Sequence, residues 1–272
     1  MVTRIGILKQ WMKGNKNGVT LFELSRRLFE PTCRIKAKSK IVGLSREVEF
    51  LKIYLEGINI PLYFPLDVDI YWLYSIIAES LFPKDWHFYL IDDTNIDTSD
   101  IVVDCGAAEG IFTLQAQSIC KKVYAIEPMR KYIDSLHKTF DNCKNVEIIP
   151  CALSSKTGKA FIQEQGAASY ISSSHGDSIK LITIDDLFFY RGLPITYIKA
   201  DLEGFEMEML KGAQKTIEKN CPKLSITTYH KPEHVKEISD FLRNINQRYN
   251  IKLKGIDADK GVPVMLHAWC NV

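Results

Sequence analysis

Four ionisable residues in the second half of the chain have the types and spacing for proton chemistry. In the stretch IKADLEGFE, Lys199, Asp201 and Glu203 occupy every second position, so an extended strand would present them on one face. His230 ends a later β-rich run, SITTYH, which belongs beside the first. Two carboxylates and an imidazole at adjacent strand ends suit a general base that takes a proton from a hydroxyl, or a site for a divalent cation. The base is favoured, because Lys199 would repel a cation. The competing reading is local: Asp201 and Glu203 would only cap a helix starting near Phe205, and for Glu206 and Glu208 that role is preferred. His234 falls inside the next helix, and His87, His137, His175 and His267 are read as ordinary.

A second group points to a ligand. IVVDCGAAEGIFTL, residues 101–114, passes from an apolar strand through Asp104 and a cluster of small residues into a helix start, which lets a ligand approach bare backbone amides. Compared with the dinucleotide pattern GxGxxG, the run from Gly106 has Ala108 and Ile111 in place of the second and third glycines, which disfavours NAD. Glu127 ends the next apolar run, VYAIEP, where an acid can accept hydrogen bonds from both hydroxyls of a ribose. A single nucleoside fits this βαβ unit better than a dinucleotide.

The elements that must position these groups alternate from about residue 96 onward. Strands are expected near 101–105, 122–126, 146–150, 195–200, 223–229, 249–256 and 262–269, with helices over 110–119, 129–141, 205–219 and 232–245. The last two strands have no helix between them and make a hairpin. The fold class is therefore α/β, a Rossmann-like, mostly parallel seven-stranded sheet whose last strand is antiparallel. Residues 154–187 are rich in Ser and Gly and are expected to hold a β-hairpin and a mobile loop, the loop at about 164–178 ordering over ligand. Residues 1–95 form an N-terminal α+β extension and 96–272 the ligand-binding domain. In the extension, LFELSRRLFE and IYWLYSIIAESLF read as helices, and CRIKAKSKIVGL and EFLKIYLEGINIPLYFP as strands. It either caps an acceptor pocket or adds a layer at the sheet edge; Tyr71, Trp72, Tyr74 and Trp86 are either acceptor-facing aromatics or core.

Composition narrows the class of function. The 272 residues are 46% hydrophobic, enough for a sizeable core, and 35 Lys and Arg against 33 Asp and Glu leave +2, no field that would select nucleic acid or an acidic membrane. No stretch reads as a membrane span or a signal peptide. The seven cysteines form no CxxC pair and read as free thiols in a reducing compartment, so a soluble cytoplasmic protein is expected.

VVDCGAAEGIFTL, VYAIEP, VEIIPCALSSKTG, TIDDL and YIKADLEGFEMEMLKGA, in this order and spacing over roughly residues 100–230, resemble the motifs of the FkbM family of S-adenosylmethionine-dependent methyltransferases. The resemblance implies a class I methyltransferase fold, S-adenosylmethionine as donor, and a hydroxyl of a sugar, glycan or secondary metabolite as acceptor. It also implies that the donor's amino-acid part lies along 104–110 (Asp104, Gly106, Ala107, Glu109 and Gly110), with Phe112 beside it. Glu127, next to Pro128, would bind the ribose, and Cys151, Ala152 and Leu153 would flank the adenine. Where the family commonly has Asn, this chain has Ala108, and Cys105 stands where an aliphatic residue is usual. Asp201, Glu203, His230 and Lys199 are the candidate catalytic residues, with a divalent metal possible but not favoured. The alternative is a non-catalytic nucleoside-binding module. The oligomeric state is left open.

Overall fold

A computed structural model describes residues 2–67, 69–165, 168–172 and 177–271 of the chain. The N-terminal segment contains α1 (Val2–Met12), α2 (Leu21–Phe29), α3 (Cys33–Ala37), β1 (Ile41–Arg46), β2 (Phe50–Leu55), β3 (Leu62–Pro65) and α4 (Ile70–Leu81). The remainder follows as β4 (Ile101–Cys105), α5 (Ile111–Gln117), β5 (Lys122–Ile126), α6 (Arg130–Phe140), β6 (Val146–Ile149), β7 (Ala152–Leu153), β8 (Gly158–Gln165), β9 (Ala168–Ser172), β10 (Asp177–Ile182), α7 (Ile184–Leu187), β11 (Tyr197–Ala200), α8 (Glu206–Lys211), α9 (Gln214–Asn220), β12 (Lys223–Thr227), α10 (His234–Ile245), β13 (Tyr249–Lys254) and β14 (Met265–Cys270).

The central sheet has seven strands in the order β13-β14-β12-β11-β4-β5-β6. β4, β5, β6, β11 and β12 run parallel, and β14 is antiparallel to both neighbours, β12 and β13. This is the class I methyltransferase fold. Its parallel strands are buried on both faces, which is why they read as unbroken apolar runs: Val102, Val103, Ile198, Ala200, Leu224 and Ile226 are all fully buried. The order reverses between β4 and β11, and ligand crevices form beyond the strand ends at such a switch.

Several expected elements differ. The helix expected over 205–219 is two helices, α8 and α9, because the chain must turn where Gly212 packs on the Ser154 carbonyl: a Cβ there would lie 2.2 Å from that oxygen. CRIKA is helical rather than extended, since Cys33 and Ala37, one turn apart, are both buried on the face that contacts α4. β8, β9 and β10 join β7 in a second, four-stranded sheet. Residues 166–167 and 173–176, on which the expectation of a mobile loop falls, lie outside the described residues.

The N-terminal segment packs on the rest in three clusters, one of which sets Phe88, Tyr89 and Leu90 against Val102, Phe112 and Tyr197. Ile7, Val19, Leu24 and Trp86 share a cluster with Ile256, while Phe64, Leu73 and Ile77 share another with Ile111, Leu114 and Leu136. The reading of seven free thiols is corrected: Cys221, just after α9, is joined to Cys270 of β14 in a disulfide, leaving Cys33, Cys105, Cys120, Cys143 and Cys151 free among the described residues. The tertiary fold brings these two Cα atoms within 6.2 Å across 49 residues, so spacing in the sequence carried no sign of the pair. No helix among the described residues is long and apolar enough to cross a membrane.

Candidate active site

A cleft opens beyond the ends of β4, β5 and β11, and one side of it is the turn from Gly106 to Gly110. Gly106, Ala108 and Gly110 have φ of +77°, +45° and +86°, so alternate residues sit in the left-handed region and coil the backbone tightly. Glycine is required at 106, where a Cβ would lie 2.1 Å from the carbonyl oxygen of Asp201. Ala108 takes this conformation less readily than Asn would, and its amide is held by Glu127 Oε2 at 2.9 Å. Glu127 Oε1 accepts from the Met129 amide at 2.9 Å, so one carboxylate pins both turns.

Glu127 and Glu109 are 4% and 2% exposed, and neither has an ion-pair partner among the described residues. Burial pushes each carboxyl up to about 7, against the opposing pull on Glu127 of the Met129 and Ala108 amides. The indole of Trp72, on α4, donates to Glu109 Oε1 at 3.1 Å.

Asp104, expected to meet the ligand, is fully buried behind the turn and does not line the cleft. It accepts from the Thr113 hydroxyl at 2.6 Å and pairs with Lys199 Nζ at 3.0 Å. Lys199 also donates to the Gly106 carbonyl at 2.7 Å. Burial alone would lower the Lys199 pKa, but Asp104 and Asp201 outweigh it and the ammonium is retained. Lys199 therefore buttresses the turn, and its charge is already met by Asp104, which removes the repulsion argued against a cation.

Opposite the turn lies the acid group. β11 ends at Ala200 and the Asp201 amide extends its ladder to the Cys105 carbonyl at 3.1 Å, so alternation reaches Lys199 and Asp201 but not Glu203. Glu203 is aimed by a turn in which it and Gly204 have φ of +52° and +97°. Asp201 accepts from the hydroxyls of Tyr89 at 2.8 Å and Thr227 at 3.2 Å. Its burial would raise the pKa, but His87, Lys199 and His230 hold the carboxyl below its usual value.

His230 stands behind these carboxylates and does not line the cleft. Its Nδ1 is 3.0 Å from Glu206 Oε1, and its Nε2 is 3.3 Å from Glu203 and 3.8 Å from Asp201. Burial would lower its pKa, but the hydrogen bonds with Glu203 and Glu206 push it up to about 10. His230 is thus placed to hold the carboxylates rather than to reach a hydroxyl in the cleft.

Glu206, read from sequence as a cap, is the hub of this network. It is fully buried and accepts from the amides of Leu202 at 2.9 Å and Gly204 at 3.2 Å, from Thr227 at 3.2 Å and from His230, with His234 Nδ1 3.2 Å away. Burial opposes ionisation, but the two histidines hold the carboxyl far below its usual range. The capping role is real and only part of what Glu206 does.

Of the residues expected to hold the donor, Gly106, Ala107, Glu109, Phe112, Glu127, Pro128, Cys151, Ala152 and Leu153 line the cleft, and Gly110 sits beneath it as the N-cap of α5. Two histidines outside the candidate set are brought to the acid cluster: His234, set aside because it lies in a helix, and His87, read as ordinary, whose Nε2 is 3.7 Å from Asp201 and 3.3 Å from the Tyr229 hydroxyl. Glu79 was not singled out at all; it shares a helical face with Trp72 and Ile76, a spacing that could have found it.

Comparison with known proteins agrees with this fold. A crystal structure of the methyltransferase FkbM from Methylobacillus flagellatus KT superposes with a TM-score of 0.53 at 20% identity, covering 74% of this chain and 53% of that one. An rRNA adenine N-6-methyltransferase of Bacteroides fragilis is 34% identical over 61 residues, 22% of this chain and 23% of that protein. A probable cobalt-precorrin-6B C(15)-methyltransferase (decarboxylating) of Methanococcus vannielii is 27% identical over 128 residues, 44% of this chain and 71% of that protein. The chain thus spans only about a quarter of the first of these relatives and about half of the FkbM structure. Residues 104–249, more than half of the sequence and all of the segment that builds the turn, Glu127 and the acid group, match the methyltransferase FkbM domain, and the chain belongs to that family.

Proposed function

We propose that the protein is an S-adenosylmethionine-dependent methyltransferase acting on a hydroxyl of a sugar, glycan or secondary metabolite. The observation that supports this best is a pair of buried carboxylates, Glu109 and Glu127, facing the cleft beside a bare backbone turn with no ion-pair partner among the described residues. Such carboxylates fit a ligand that brings a ribose diol and positive charge, which S-adenosylmethionine does. Glu127 would hold the ribose, the 106–110 backbone the amino-acid part, and Cys151 to Leu153 the adenine. When bound, the donor supplies a methyl group already activated as a sulfonium. Asp201 and Glu203, on the far wall, would orient the acceptor hydroxyl.

Trp72, Ile76, Glu79 and Tyr89 bring the N-terminal segment into this wall, which supports a role for it in holding the acceptor. The acidic lining and the balanced net charge of +2 favour an uncharged acceptor over nucleic acid.

Asp201, Glu206 and His230 lie close enough to hold a divalent ion. Glu206 Oε1 is already taken by the Leu202 and Gly204 amides, Thr227 and His230, and His230 lies among three carboxylates that favour its protonated form, so we read the group as an ion-paired network rather than a metal site, and chelators should leave activity unchanged. Calorimetry should show binding of S-adenosylmethionine and S-adenosylhomocysteine but not NAD. Release of S-adenosylhomocysteine on addition of methyl glycosides then separates an enzyme from a non-catalytic nucleoside binder, which would bind the donor and release nothing.

A further inference from the structure

α4 carries one carboxylate into the cleft from outside the matched FkbM segment. Its N-terminus is fixed by Asp69, which accepts from the Tyr71 amide at 2.8 Å, and its packing face by Leu73, Ile77 and Ala78. The face at 72, 76, 79 and 80 is thereby turned to the cleft. The chain then passes through a rigid stretch: Asp85 accepts from the His87 amide at 2.9 Å, and the Tyr89 carbonyl accepts from the hydroxyls of Tyr197 at 3.1 Å and Ser225 at 2.6 Å. This places His87 between two acids, Nδ1 3.8 Å from Glu79 Oε2 and Nε2 3.7 Å from Asp201 Oδ2. His87 Nδ1 is buried and has no hydrogen-bond partner.

The carboxylates of the far wall differ in how fully they are engaged. Asp201 accepts the Tyr89 hydroxyl and shares that of Thr227 with Glu206, and Glu203 lies 3.3 Å from His230 Nε2. Among the described residues Glu79 has only His87 within ion-pair distance, at 3.8 Å, and its side chain is 28% exposed. We propose that Glu79 is the group that takes the proton from the acceptor hydroxyl, and that His87 positions it against Asp201. Burial, with the charges of Asp201 and Asp85, raises the Glu79 carboxyl pKa against the lowering influence of His87 and Arg34, which makes it a stronger proton acceptor than Asp201. In the reaction the acceptor oxygen forms its bond to the methyl carbon while its O–H bond breaks. The carbon–sulfur bond breaks with its electron pair left on sulfur, and the proton passes to Glu79 and out through its exposed edge. The inference rests on the O-methyltransferase reading above.

The test has two readouts. In protein carrying 13C-labelled glutamate, the Glu79 carboxyl should titrate above the ordinary glutamate range, move further up in H87N and move down in D201N. A titration that neither substitution moves overturns the coupling. With methyl glycosides as acceptor probes, E79Q should lower kcat by about 10²–10³-fold with S-adenosylhomocysteine affinity within about threefold, and E79D should recover part of the loss. A wild type that methylates a probe and an E79Q variant that does so equally well overturn this inference alone. A wild type that binds donor yet methylates no probe removes the hydroxyl reading, and the inference with it.

Discussion

Replacing Gly106 by Ala tests whether the donor turn and the acid wall are one mechanical unit. The new Cβ would sit 2.1 Å from the Asp201 carbonyl oxygen, where real contacts essentially never fall below 3.0 Å, so β4 and β11 must separate by roughly 1 Å at their ends. That stretches the Asp201 amide's bond to the Cys105 carbonyl, now 3.1 Å, beyond hydrogen-bonding distance, at about 1 kcal/mol. Holding Ala at a φ of +77° adds about 1–2 kcal/mol. The expected loss of stability is about 2–3 kcal/mol, or a fall in Tm of about 5–10 °C. The same displacement moves Asp201 relative to the 106–110 turn, and a shift of about 1 Å between reacting partners can cost about 10²-fold in rate. Differential scanning calorimetry and S-adenosylhomocysteine titration on G106A would measure both effects, with G158A, where a Cβ meets nothing within 4 Å, as control. Unchanged Tm and unchanged ligand affinity in G106A would refute the reasoning.

Three further outcomes are expected. Removing the Glu127 carboxylate in E127A should weaken S-adenosylmethionine binding by about 2–3 kcal/mol, roughly 10²-fold, as measured by calorimetry. Because burial pushes Glu127 up to about 7 in the free protein, wild-type affinity should decline as pH falls below about 7 and level off above it, and E127Q should flatten that profile. His230 has its pKa raised from 6.5 to about 10, so its stabilisation is fully present below pH 6.5 and is lost as pH rises through 10. At about 1.4 kcal/mol per unit this amounts to at most about 5 kcal/mol, shared with Glu203 and Glu206. Urea unfolding should therefore show wild type and H230N converging between pH 7 and pH 10; parallel curves would place the imidazolium elsewhere.

Local pattern was enough for the sheet and for half of the cleft. The strands at 101–105 and 122–126, the small-residue turn after Asp104 and the acid at Glu127 follow from apolar runs and residue size, which act within a few positions of the chain. Even there, sequence could not show that Asp104 faces Thr113 and Lys199 rather than the cleft, because the β4–β11 register that opposes Asp104 to Lys199 joins residues 95 positions apart. Alternation predicted Lys199, Asp201 and Glu203 on one face, but β11 ends at Ala200, and Glu203 depends on a left-handed turn that no apolar period encodes. The histidines and acids around Glu206 look like helix capping when read singly. Only the docking of α10, which brings His234 to Glu206, and of the N-terminal segment, which brings Tyr89 to Asp201 across 112 residues, makes them one buried network. Elements are decided by short-range periodicity and conformational preference; which charged groups share a low-dielectric site is decided by packing between elements, where a partner is worth most and a missing one costs most.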